Sequence, residues 1–150
     1  MKYKPEDFFT LNEIDLSGSQ GHVISDAEIN EINKYSNRLL YLYMLNVSQN
    51  SIMKLFLFNF VNLKVIDASK NIITESSLSL PKLMNLNLSR NLLSNFPDLS
   101  KLPNLKILNV SWNNIPKITI QYIEPVRKTL NNLDFSYNHI EFTTIELFLK

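Results

Sequence analysis

The chain has 150 residues, 15 basic against 14 acidic side chains for a formal net charge of +1, and no cysteine. That balance, with 45% hydrophobic residues, excludes a disordered chain, a polybasic nucleic-acid arm and an acidic tail. Without cysteine there are no disulfides, thiolate metal sites or thiol nucleophile, and two glycines, Gly18 and Gly21, build neither a dinucleotide fingerprint nor a P-loop.

In chain order, the first segment, Met1-Lys2-Tyr3-Lys4-Pro5-Glu6-Asp7, is charged where a signal peptide needs an apolar run. The longest apolar stretch, Leu55 to Val61, is far too short to span a bilayer, so the expectation is a soluble, intracellular protein with no membrane contact. Leu11, Ile14 and Leu16 then open a pattern in which Ser19 stands where later copies have asparagine. A helix is predicted next: Ser25-Asp26-Ala27-Glu28 is a capping box, Ile24 and Ile29 stand at hydrophobic-staple spacing, and Ile32, Tyr35 and Leu39 continue one face. It is expected to start the stack and cover its open N-terminal end.

Five complete copies of L-x-x-L-x-L-x-x-N-x-L follow. They are Leu42, Leu45, Val47, Asn50, Ile52; Leu63, Ile66, Ala68, Asn71, Ile73; Leu83, Leu86, Leu88, Asn91, Leu93; Leu105, Leu108, Val110, Asn113, Ile115; and Leu130, Leu133, Phe135, Asn138, Ile140. With the degenerate copy that makes six units, whose first leucines are 31, 21, 20, 22 and 25 residues apart. Between copies, Phe56 and Phe58 are a spare aromatic pair expected to pack against the helix near Ile32 and Tyr35. Phe96 to Pro103 reads as extended chain with single turns, and Pro125 limits any helix between Ile115 and Leu130. After Ile140, Phe142, Ile145, Phe148 and Leu149 are apolar at helical spacing and read as a thin terminal cap. The organisation is one domain over 1–150: an N-terminal repeat and helix at 1–41, five regular repeats at 42–140 and a short cap at 141–150.

Apolar side chains in this pattern share one interior only if the chain turns after every unit, which a parallel coil of short strands achieves. Asn50, Asn71, Asn91, Asn113 and Asn138 are then structural, their amides pairing with backbone at each turn. These residues resemble the leucine-rich-repeat superfamily, and the short central units are similar to its phosphatase-regulator-like, intracellular class. The resemblance implies an α/β solenoid: a right-handed coil of about six repeats with a parallel concave sheet, one helix and mostly extended or 3-10 convex segments. It also implies a non-enzymatic adaptor or complex subunit.

Two polar columns run up the strands, Ser17, Ser48, Ser69, Ser89, Ser111, Ser136 beside Asp15, Asn46, Asp67, Asn87, Asn109, Asp134, and both are expected to be exposed on the concave face. His22 and His139 lie off these columns, so no triad assembles, and two separated histidines make no metal site. No cofactor and no small-molecule substrate are implied. The sequons at Asn46, Asn87 and Asn109 are by-products of the repeat and are expected to carry no sugar.

What remains is binding. Tyr43, Met44, Lys64, Lys70, Met84, Arg90, Lys106, Ile107, Trp112 and Tyr137 are placed on the concave face, where aromatic and cationic anchors dominate interface energetics. The favoured partner is a protein, an acidic peptide or helix anchored on Trp112 and Tyr137. The alternative is RNA or an RNA-binding protein, met by Lys64, Lys70, Arg90 and Lys106 with a base stacked on Tyr43 or Trp112. A purely local reading also exists, in which Arg90 simply stacks on Trp112.

Overall fold

In the computed structural model the described residues are 10–18, 21 and 23–141. Ser19, His22, the first nine residues and the apolar cap at 142–150 lie outside them. The elements are β1 (Glu13–Asp15), α1 (Asp26–Lys34), β2 (Met44–Asn46), β3 (Lys54–Phe58), β4 (Val65–Asp67), β5 (Glu75–Ser79), β6 (Asn85–Asn87), β7 (Ile107–Asn109), α2 (Ile120–Ile123) and β8 (Asn132–Asp134). A 3-10 turn at Glu124–Val126, with Pro125 inside it, follows α2 directly.

Six short strands, one per repeat unit, pair in parallel in the order β1-β2-β4-β6-β7-β8. The link from β1 to β2 contains α1, and four regular turns of the coil carry the chain from β2 to β8. Five of the six strands bury their middle residue, Ile14, Leu45, Ile66, Leu86 and Leu108 being at most 1% exposed, while Leu133 of β8 is half-buried. The two flanking residues point outward, because side chains alternate along extended chain. In register, the apolar column Ile14↔Leu45↔Ile66↔Leu86↔Leu108↔Leu133 runs the length of the sheet.

The asparagines form a ladder along one side of this core. Asn71 shows the pattern: its Oδ1 accepts the Ile52 amide at 3.0 Å, while its Nδ2 donates to Val47 O of the previous coil at 2.9 Å and to Ala68 O at 3.1 Å. Asn50, Asn91, Asn113 and Asn138 repeat it, joining each coil to the one before. Asn50, Asn71, Asn91 and Asn113 are buried, so backbone amides and carbonyls that water cannot reach are satisfied by side-chain amides instead.

The residue before each asparagine takes a left-handed conformation: Gln49, Lys70, Arg90, Trp112 and Tyr137 all have φ between 54° and 59°. This costs a non-glycine residue about 1–2 kcal/mol, offset by the hydrogen bonds on either side. Lys70 N and Arg90 N, for example, donate to Ser89 O and Ser111 O at 3.0 and 2.9 Å.

The expected exposed serine column is corrected here. Ser48, Ser69 and Ser111 are buried, because they lie past the strands in the turn. Their amides are taken by the side chains two residues back, Asn46, Asp67 and Asn109, at 2.9 to 3.0 Å. Each Asn or Asp at the strand end thus closes an Asx turn, as do Asp15, Asn87 and Asp134.

The convex side departs from simple extended chain, since β3 and β5 pair in parallel over five residues. The capping box forms, with Ser25 N–H donating to Glu28 and Ala27 N–H to Ser25 Oγ, and Ile24, Ile29 and Ile32 are buried. The helix ends at Lys34, one turn short of Leu39. α1, in the first coil, packs on β3 of the second. Asn33 accepts the Phe58 amide at 3.3 Å and donates to Phe56 O, while Asp26 Oδ1 accepts the Met53 and Lys54 amides at 2.7 and 3.0 Å. Two side chains thus occupy the place of a further strand and close the free edge of β3. Leu55, Leu57 and Phe60 are fully buried beneath, Phe56 is half-buried and Phe58 exposed.

Candidate partner-binding surface

The side chains expected to line one concave face divide into two groups, fixed by where they stand relative to the strands. Tyr43, Lys64, Met84 and Lys106 immediately precede β2, β4, β6 and β7. Their backbones form a continuous ladder, Lys64 N to Tyr43 O, Met84 N to Lys64 O and Lys106 N to Met84 O, each 2.8 Å, so one column rises at about 4.8 Å per rung. Met44 and Ile107 stand in the next column with Val65, Asn85 and Asn132.

Lys70, Arg90, Trp112 and Tyr137 do not stand on the strands. They occupy the left-handed turns three residues beyond β4, β6, β7 and β8, at the opposite ends of the strands from Lys64 and Lys106. The positive φ swings these side chains out along the sheet edge as a ridge, because the chain leaves the sheet plane at the turn.

On the ridge Trp112 and Tyr137 stack with ring centroids 4.1 Å apart and planes 15° from parallel, and the Arg90 guanidinium lies 5.1 Å above the Trp112 ring. The local contact of Arg90 with Trp112 is therefore present, yet Trp112 stays 47% and Tyr137 67% exposed. A hollow of about 420 Å³ lies beside the pair, lined also by Asn114 and His139.

On the strand side, Met44, Val65, Ile107, Asp67, Asn87 and Asn109 line a shallow hollow of about 300 Å³. A second, of about 280 Å³, is lined by Lys64, Lys82, Met84, Asn104 and Lys106. Tyr43 is engaged: its hydroxyl donates to Glu13, and that bond, ahead of burial and the carboxylate's charge, raises the phenol above its ordinary 10.0.

Lys82 and Asn104 escaped the sequence reading. They belong to a column one residue before each first leucine, where Asn62 and Asn104 donate to Leu40 O and Pro81 O of the previous coil at 2.7 Å each. The recurrence of Asn62, Lys82 and Asn104 at that offset is the signal that could have found it. Among the described residues, no group of three histidine, aspartate or glutamate side chains could hold a metal ion, and no helix is long and apolar enough to cross a membrane.

A parallel sheet with one core-facing residue per strand, bordered by an asparagine ladder, is repeated in solved structures. The leucine-rich repeat domain of APL1B superposes with a TM-score of 0.56 at 28% identity, over 68% of this chain and 36% of that one. The chain carries the leucine-rich-repeat fold. Leucine-rich-repeat relatives by sequence include Toll-like receptor 2 from Macaca mulatta and from Homo sapiens, each 37% identical over 87 residues, or 54% of this chain. Toll-like receptor 2 type-2 from Gallus gallus is 30% identical over 129 residues, or 86% of this chain. The chain spans 11–15% of the length of these curated relatives. No family model matches it.

Proposed function

We propose that this leucine-rich-repeat chain is a non-enzymatic protein-binding scaffold, an adaptor or complex subunit that presents its concave sheet and the adjoining ridge to a protein partner. The observation that carries the reading is the Trp112–Tyr137 stack, held by the ridge yet largely open to solvent. Tryptophan, tyrosine and arginine are the residue types that contribute most at interfaces, and here all three are pre-ordered in one stack, so binding orders little that is not already fixed. The relatives bear the name of a receptor, in keeping with a binding role.

Spacings of 20 to 22 residues in the central units support placement in the short-repeat intracellular class, and a cysteine-free sequence suits the cytoplasm or nucleus. A fluorescent fusion is expected there; secretion with sugar on Asn46, Asn87 or Asn109 contradicts this location. RNA binding is the second reading, but its four cations are divided between opposite ends of the strands rather than aligned on one track.

The test is capture of native partners by the purified chain. Trp112→Ala with Tyr137→Ala is expected to lose the principal partner, and Val65→Glu with Ile107→Glu to weaken it. If both double variants retain every partner, the scaffold reading is abandoned.

A further inference from the structure

Three lysines, Lys64, Lys82 and Lys106, line one hollow on the strand side, and among the described residues no carboxylate is paired to them. Lys64 and Lys106 stand two rungs apart with Met84 between them, and the backbone bonds Met84 N to Lys64 O and Lys106 N to Met84 O fix their backbones about 10 Å apart. Lys82 enters from the loop before β6, its Nζ donating to Asn62 Oδ1 at 2.7 Å. The carboxylates of Glu31, Glu75 and Glu124 pair with Lys34, Lys54 and Arg127 rather than with these three lysines.

The hollow they line, about 280 Å³, and the apolar one are separate but take successive residues of the same chain segments, Lys64-Val65, Met84-Asn85 and Lys106-Ile107. Met44, Val65 and Ile107 form the apolar part. Ile107 is 42% exposed although its side chain contributes nothing to the core.

We infer that these two adjoining hollows take an acidic segment of a partner protein, with its carboxylates on Lys64, Lys82 and Lys106 and a neighbouring apolar side chain against Met44, Val65 and Ile107. The inference rests on the scaffold reading above and adds the chemistry of the partner. Three cationic side chains around one hollow present complementary charge to an anionic segment. Lysine acts as a point charge and needs no bidentate geometry, so the side-chain carboxylates of an extended segment suffice. A polynucleotide would require cations spaced along a track, whereas Lys70 and Arg90 stand beyond the far ends of the strands. The apolar hollow supplies area and the lysines supply orientation and encounter rate.

A short fluorescein-labelled peptide of Glu-Glu-Leu repeats is the probe, read by anisotropy and by the methyl resonances of the methionines. Binding is expected to shift Met84 and Met44 and leave Met53 unmoved. Lys64→Glu with Lys106→Glu is expected to weaken it about tenfold or more, and Lys117→Glu with Lys128→Glu, exposed residues away from both surfaces, less than about threefold. These are exposed side chains, so unchanged melting temperatures verify that the variants fold. No binding, or equal loss from the two charge reversals, overturns the inference. Equal affinity for Gln-Gln-Leu repeats that still shift Met44 refutes the acidic preference and leaves the scaffold standing. Tighter binding of an oligouridylate that depends on Lys64 and Lys106 overturns the choice of a protein partner.

Discussion

Asn91 Oδ1 accepts the buried amide of Ile73, 18 residues earlier, at 2.9 Å. Through its Nδ2 the same side chain holds the Ala68 and Leu88 carbonyls at 3.0 Å each. One amide group thus joins two coils at the point where the chain turns out of the sheet. The concave columns and the ridge both take their positions from that junction, because the strand before it and the left-handed residue beside it are fixed together.

Removing the junction should be costly where it is buried. Asn91→Ala orphans the Ile73 amide and is expected to cost about 3 kcal/mol in chemical denaturation. Asn91→Asp should cost at least as much, since a carboxylate oxygen would face the Ala68 and Leu88 carbonyls. Asn138, which is only half-buried, should cost about 1 kcal/mol when changed to alanine. Equal losses at Asn91 and Asn138 would argue against burial as the cause.

Gly18 occupies the position that Gln49, Lys70 and Arg90 fill in later units. A Cβ there would lie 1.7 Å from Gln49 O, while Gly18 N donates to Ser48 O at 2.9 Å. Gly18→Ala must therefore push β1 from β2 and is expected to destabilise by about 1–3 kcal/mol. A melting temperature equal to that of the unchanged chain would contradict the close approach.

Asn33 stands in for a strand on the free edge of β3. Asn33→Ala should cost about 1–2 kcal/mol and speed hydrogen exchange at the Phe58 amide, which it now accepts. Exchange at Val47, whose amide donates to Asp67 O, should not change.

Much of this architecture was legible because burial imposes a period. Leu45, Ile66, Leu86 and Leu108 recur at the spacing of the coil, and the capping box at Ser25 and Glu28 announces α1. The pairing of β3 with β5 was not legible: Glu75-Ser76-Ser77-Leu78-Ser79 has one buried leucine and otherwise polar residues, and becomes a strand because Lys54 to Phe58 lies beside it. The division of the candidate site was hidden for another reason. A template counts residues and not dihedral angles, and Gln49, Lys70, Arg90, Trp112 and Tyr137 are not residue types that signal positive φ. The Asx turns are written in the Asn-x-Ser and Asp-x-Ser triplets, whose alternation also fits polar strand residues.

The Tyr43–Glu13 bond gives a pH dependence with a definite sign. The folded chain favours the neutral phenol, so the stabilisation is complete below the ordinary value of 10.0 and is lost as pH rises through the raised one. In Glu13→Gln the Tyr43 midpoint, followed by the ring-carbon shift, is expected to fall toward 10.0. An unmoved midpoint would assign the shift to burial alone.

Hydroxyl-radical footprinting of the chain with its captured partner bears most directly on the scaffold. Met44, Met84, Trp112 and Tyr137 are expected to gain protection, while Met53 and Tyr122, exposed elsewhere on the coil, keep their free rates. Protection of Met53 and Tyr122 with unchanged oxidation at Met84 and Trp112 would place the partner on the other wall and contradict the account.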